Sequence, residues 1–206
     1  MKTEIIDESN VIKAAKWLKD GEVVCFPTET VYGIGVIANS QRAFDKLVEA
    51  KRRPPTKPFS LMCSSLEQAF SFCETDIKAK AVMKAFLPGE ITVLVKAKEG
   101  LDHWITLGTP VIGIRVPDSK YVLELIDCVG SPCLVTSANH SGDPTSTSFE
   151  DTVKSFDGEV KGIVKGECTS LVASTIVDLS DPTGIKLVRP GPIPFEKIEK
   201  TWRMGK

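Results

Sequence analysis

The sequence predicts one α/β domain built on a twisted, mixed β-sheet with flanking helices. Three observations carry this. Apolar, β-branched runs alternate with amphipathic segments along the chain, as expected where helices cover a sheet. The runs Thr175-Ile176-Val177-Asp178-Leu179 and Ile185-Lys186-Leu187-Val188-Arg189 flank Asp181-Pro182-Thr183-Gly184, which marks an antiparallel hairpin and makes the sheet mixed. No linker, repeat or low-complexity stretch divides the 206 residues, so the domain is expected to span 1–206, a length that buries a full core.

Each element has a local cause. A first helix is expected from Asn10 to Asp20, with Ser9 as N-cap, Val11, Ala15 and Leu18 on one face and Gly21 as its stop. Val23 to Phe26 reads as a short buried strand ended by Pro27. Gln41 to Ala50 is a helix that buries Phe44, Leu47 and Val48 and delivers Lys51 at its C-terminal end, where the helix dipole favours a cation. Phe59 to Cys63 is strand-like, and Ser64-Leu66-Glu67 fits a capping box opening another helix. Asp76 to Leu87 is helical and closed by Pro88-Gly89. Ile91 to Ala97 and Val111 to Val116 are the clearest strands. Tyr121 to Cys128 is a helix, Cys133 to Thr136 a strand, Phe149 to Phe156 a helix capped by Ser148, and Phe195 to Arg203 a final helix.

Composition excludes several function classes. A net charge of -1 argues against a generally basic nucleic-acid binder, so any RNA contact must be a local patch. Acidic residues near the N-terminus and the absence of an apolar run of about 20 residues point to a cytoplasmic protein without a membrane span. The six cysteines form no C-x-x-C pair and the two histidines, His103 and His140, are far apart, which argues against zinc. The thiols sit mostly in apolar runs and read as small core hydrophobes.

Four segments carry chemistry. Phe26-Pro27-Thr28-Glu29-Thr30-Val31-Tyr32-Gly33-Ile34-Gly35 follows a strand and crowds polar side chains and two glycines into a tight turn, without a Walker or dinucleotide fingerprint. Lys51-Arg52-Arg53-Pro54-Pro55-Thr56-Lys57 puts four cations in seven residues. It is either a solvated helix end or, with prolines fixing the loop, a preorganised anion site. Thr136-Ser137-Ala138-Asn139 ends an apolar strand at the carboxyl edge of the sheet, where open α/β sheets place ligands. A serine hydrolase is excluded because G-x-S-x-G is absent around Ser137 and His140 is too close to serve as its base. Arg115 lies within an apolar strand and needs either an internal acid or a ligand carboxylate or phosphate. Arg189 repeats that arrangement.

Taken together the chain resembles the YrdC/Sua5 family of threonylcarbamoyl-AMP synthases. The matching pieces are FPTETVYGIG (26–35), KRRP (51–54), PGEITVLVKA (88–97), IGIRVP (112–117), TSANHSG (136–142), STIVD (174–178) and VRPG (188–191), in the family's order. The resemblance is to the single-domain form, and it implies an α/β fold around a positively charged cavity. The implied activity is that of a nucleotidyltransferase combining ATP, L-threonine and bicarbonate into threonylcarbamoyl-AMP and pyrophosphate. A partner transferase would then modify the tRNA adenosine beside the anticodon. It implies Mg2+ carried with ATP, no tightly bound organic cofactor, and protein metal ligands left open. Carried over by position, Lys51, Arg53, Ser137 and Asn139 form the catalytic set, and Lys51, Arg53 and Lys57 hold the phosphates. Ser137, Asn139, Thr145 and Arg189 contact the nucleotide, while Thr30, Arg115 and Ser174 contact threonine. Main-chain groups near Val111 and Val135 line the site. Where many members have a histidine, this chain has Met62, which implies weaker discrimination of threonine from serine or valine. The alternative reading is a double-stranded RNA or tRNA-binding module without synthase activity.

Overall fold

The computed structural model describes residues 2–54 and 56–205. In chain order the elements begin with β1 (Glu4–Asp7), α1 (Val11–Lys19), β2 (Val24–Phe26), β3 (Gly33–Ile37), α2 (Gln41–Lys51), β4 (Ser60–Met62), α3 (Leu66–Phe70) and β5 (Cys73–Glu74). They continue with α4 (Ile77–Phe86), β6 (Ile91–Ala97), α5 (His103–Thr106), β7 (Val111–Arg115), α6 (Lys120–Val129) and β8 (Cys133–Ser137). The last are α7 (Phe149–Phe156), β9 (Gly162–Lys165), β10 (Thr175–Asp178), β11 (Lys186–Arg189) and α8 (Phe195–Met204).

The strands form one sheet in the order β1-β9-β2-β3-β8-β4-β7-β6-β10-β11, with β5 added to β6. Parallel pairs (β1/β9, β2/β9, β4/β7, β6/β10) mix with antiparallel ones, including the expected β10–β11 hairpin. The mixed sheet with flanking helices is therefore as the sequence predicts. Helix α1 packs on α6 and α4 on α8. Their apolar stripes meet the sheet in one continuous core containing Leu18, Phe26, Ile34, Leu47 and Leu134.

Side-chain caps set most helix starts. Ser40, Asp76, Ser119 and Ser148 each accept the backbone N–H three residues on. Two expectations shift by a residue or two. The cap of α3 is Ser65, whose Oγ accepts from Gln68 N–H, while Gln68 Oε1 accepts from Ser64 N–H. Ser9 lies in a 3-10 turn over Glu8–Asn10, so α1 starts after Asn10 without a side-chain cap. Gly33-Ile34-Gly35 is the start of the fully buried strand β3 rather than a tight turn. The turn signal misleads because these glycines serve close packing. A Cβ on Gly35 would lie 2.8 Å from the Leu134 carbonyl oxygen of neighbouring β8.

A second glycine fixes the geometry of the sheet edge. A Cβ on Gly191, just past β11, would collide with the Thr175 backbone nitrogen and lie 2.7 Å from the Ala173 carbonyl oxygen. Gly191→Ala is expected to push β11 away from β10 and lower stability by about 1–3 kcal/mol. Thermal unfolding checks this; an unchanged Tm would show that the edge relaxes freely.

Candidate active site

Strand periodicity builds the site. Alternate residues on neighbouring strands face one cavity of about 450 Å3: Ser60 and Met62 on β4, Thr92 and Leu94 on β6, Val111, Gly113 and Arg115 on β7, Val135 and Ser137 on β8. Gly113 keeps the floor open, since a Cβ there would sit 3.2 Å from Ser60 Oγ and 3.5 Å from Thr92 Cγ2. Arg53 enters from the loop before β4, and Ala173, Ser174, Val188 and Arg189 close the opposite side. The lining thus carries three guanidinium groups and no carboxylate.

At the β8 side, the basic cluster and the Thr136–Asn139 segment join through one buried ammonium. Lys51 is 2% exposed. Its Nζ donates to the carbonyl oxygens of Ser137 (2.6 Å) and Asn139 and lies 3.3 Å from Asn139 Oδ1. Burial and the neighbouring Arg53 pull its pKa down to about 8. Lys51 is therefore not the exposed loop cation that a helix-end charge run suggests; its donors are spent on oxygens of Ser137 and Asn139 at the end of β8. Ser137 Oγ donates to Asn139 Oδ1 at 2.7 Å, and Asn139 Nδ2 donates to the carbonyls of His140 and Asp143. Arg53 lies over the Phe59 ring and donates to the Lys57 and Pro58 carbonyls, which aims it along the cavity wall.

In the middle of the cavity, Arg115 Nη2 donates to Glu29 Oε1 at 2.8 Å and to Thr30 Oγ1 at 2.7 Å. Glu29 Oε1 also accepts the Asp118 N–H. This is the internal-acid alternative for the buried arginine, yet the pair is not closed: Arg115 Nε and Glu29 Oε2 are buried without partners. On the far side, Arg189 Nε and Nη2 hold the Ser174 carbonyl at 3.1 and 2.7 Å. Burial, and then Arg115, lower the Arg189 pKa.

Of the ten residues expected at the site, Arg53, Arg115, Ser137, Ser174 and Arg189 line this cavity. Lys51, Asn139 and Thr30 stand behind it, bonded to residues that do. Lys57 is an exposed residue outside the lining, and Thr145 lines a separate surface hollow with Arg52, His140 and Glu159. Val111 and Val135 both face the cavity. Glu29 and Thr92 were missed as site residues. The signals were an acid within a hydroxyl-rich loop and a lone hydroxyl near the start of an apolar strand. His140 bonds Glu159 at 2.9 Å and packs on Phe156, a structural placement. Burial raises the Cys25, Cys63, Cys73 and Cys133 thiols, Cys73 to about 11 and Cys133 to about 12, which removes them as nucleophiles.

A family model for the Sua5, YciO and YrdC proteins, described as Telomere recombination, matches residues 16–191. The chain belongs to this family. A Pyrococcus abyssi member named threonylcarbamoyl-AMP synthase is 36% identical over 199 residues, covering 96% of this chain and 58% of its own length. A Bacillus subtilis member of the same name is 38% identical over 196 residues, covering 94% and 56%. The chain thus spans a little over half the length of these two relatives. The crystal structure of Pyrococcus abyssi Sua5 complexed with L-threonine superposes with a TM-score of 0.91 at 35% identity, over 97% of this chain and 61% of that one. No helix among the described residues is long and apolar enough to cross a membrane.

Proposed function

We propose that this chain is an L-threonylcarbamoyladenylate synthase. The observation that carries the reading is one cavity that gathers three arginines with the Ser137 and Ser174 hydroxyls in a member of this family. Sheet order separates two ends. Ser137 and Arg53 lie toward β8, Ser174 and Arg189 toward β11, with Arg115 between.

The chemistry asks for this layout. Threonine amine and bicarbonate lose water to give a carbamate. A carbamate oxygen attacks the α-phosphorus of ATP, the new P–O bond forms, and the bond to pyrophosphate breaks. The carbamate is already a nucleophile, so the chain needs no strong base. It must bring two anions together and stabilise charge on the phosphoryl oxygens. Arg53 and Ser137 are assigned to the nucleotide, with Arg189 across from them. Arg115, which lines the cavity, takes the threonine carboxylate, with Ser174 on the same cavity wall. Lys51, Asn139 and Thr30 position these groups. Lys57 and Thr145 would reach ATP only from outside the cavity. Mg2+ is proposed to arrive with ATP. Phosphate oxygens and water would supply most of its ligands. The product would pass to a transferase acting on tRNA.

Pyrophosphate release, measured with ATP, threonine and bicarbonate omitted in turn, tests the reading. Turnover that requires all three supports it. Salt-sensitive RNA binding with no turnover would replace it with the RNA-binding alternative. Within it, Arg53→Ala is expected to reduce turnover on the order of a hundredfold by removing a cation from the transferring phosphoryl group. Because Arg53 is only half-buried and tied to two carbonyls, its Tm should fall by a few degrees at most. Near-normal turnover would remove Arg53 from the nucleotide site.

A further inference from the structure

Resting on that reading, we infer that Thr92 is a specificity-determining residue: its hydroxyl donates to the side-chain oxygen of a β-hydroxy amino acid bound at Arg115. Hydrogen counting on the two hydroxyl networks of the cavity leads there. In the first, Thr28 spends its one hydroxyl proton on the Val31 carbonyl at 2.8 Å. In the 3.0 Å contact between the Thr28 and Thr30 hydroxyls, Thr30 must then be the donor. Thr30 also accepts from Arg115, has no exposed surface and does not line the cavity. It has no proton left for a substrate, so its task is to hold Arg115.

The second network is left open. Arg189 Nη2 donates to Ser174 Oγ at 3.2 Å, and Ser174 Oγ lies 3.0 Å from Thr92 Oγ1. A serine oxygen that accepts from a guanidinium becomes the better donor, so the chain runs Arg189 to Ser174 to Thr92. The Thr92 proton then has no acceptor in the described protein. Thr92 lines the cavity and is 4% exposed, so leaving that donor unmet carries a desolvation penalty. Met62, on the β4 portion of the wall, offers only a thioether and a methyl surface.

The sheet register supplies the spacing. Strands β6 and β7 pair Val93 with Ile114, and the next step sets Thr92 opposite Arg115 on the same face. Directly opposed residues lie about 4.5–5.5 Å apart at Cα and project their side chains to the same face, so Arg115 and Thr92 share one stretch of the cavity wall.

Valine is the control ligand, because it has threonine's shape without the hydroxyl. Calorimetric titration of threonine, serine and valine into the intact chain is expected to show threonine held at least roughly tenfold more tightly than valine. Thr92→Val should bring the two within about twofold, and Thr92→Ser should restore most of the gap. Ser174→Ala, which removes the orienting partner, should shrink the preference without erasing it; it also serves if Thr92→Val does not fold. An unchanged threonine-to-valine ratio in Thr92→Val overturns the inference. So does an intact chain that binds the two alike or binds neither. The synthase reading fails separately: if Thr92 sets the preference but pyrophosphate release does not depend on threonine, the site is real and the reaction is another.

Discussion

Glu29→Ala is expected to destabilise the protein by about 3–5 kcal/mol, because it leaves the Arg115 cation buried without its acid. For a domain of this size that is a fall in Tm of roughly 6–20 °C. The Asp118 N–H loses its acceptor in the same step. Stability alone does not separate an internal ion pair from a substrate site, so two further variants are needed. Arg115→Met combined with Glu29→Gln removes both charges and should recover much of the stability, since replacing a buried pair by neutral groups is often near neutral. It should nonetheless lose threonine binding. Arg115→Lys keeps the charge but not the planar fork, and should raise the threonine KM strongly with ATP affinity retained. Thermal unfolding and the threonine KM are the two measurements. A double variant that binds threonine normally would make Arg115 purely structural.

Lys51→Met should be nearly as severe, with loss of both stability and turnover. It strands the Ser137 and Asn139 carbonyls that the ammonium bridges, at about 2–4 kcal/mol. It also releases the segment that carries Ser137, and a misplacement of about 1 Å in a positioning element lowers turnover on the order of a hundredfold. Activity loss with an unchanged Tm would instead put Lys51 directly on substrate. The pH dependence has a definite sign. The folded pKa, about 8, lies below the ordinary lysine value of 10.5. Between those values the unfolded chain holds a proton that the folded chain has released, so stability from this group rises with pH. The penalty for keeping Lys51 charged is fully present below about pH 8 and relieved above it. The Tm advantage of the unaltered chain over Lys51→Met should therefore widen from about pH 7 to about pH 10. A constant gap would show that Lys51 keeps an ordinary pKa.

Much of the fold was legible because its causes are local. Apolar, β-branched runs gave β6 and β7, the Ser148 cap gave the start of α7, and Asp181-Pro182-Thr183-Gly184 gave the β10–β11 hairpin. The strands β1 and β9 were not legible. Their four residues each are set by pairing with one another across more than 150 positions, and that long-range pairing has no local signature. Strand β3 was hidden by its own glycines, whose role is close approach to β8.

The site divides along the same line. Residue types and their order in the chain determined which segments carry the chemistry: a basic cluster after α2, a polar strand end at β8, and arginines at the ends of β7 and β11. Only the tertiary structure decided which of those groups remain available. It turned Lys51 inward onto three oxygens, paired Arg115 with Glu29, tied the Thr30 hydroxyl to Thr28 and Arg115, and set Thr92 beside Ser174 on the cavity wall. The physical reason is that a side chain's donors and charge are assigned by whatever atoms surround it after folding. Those neighbours come from segments 82 to 88 residues away, as Thr92 with Ser174 and Lys51 with Ser137 and Asn139 show.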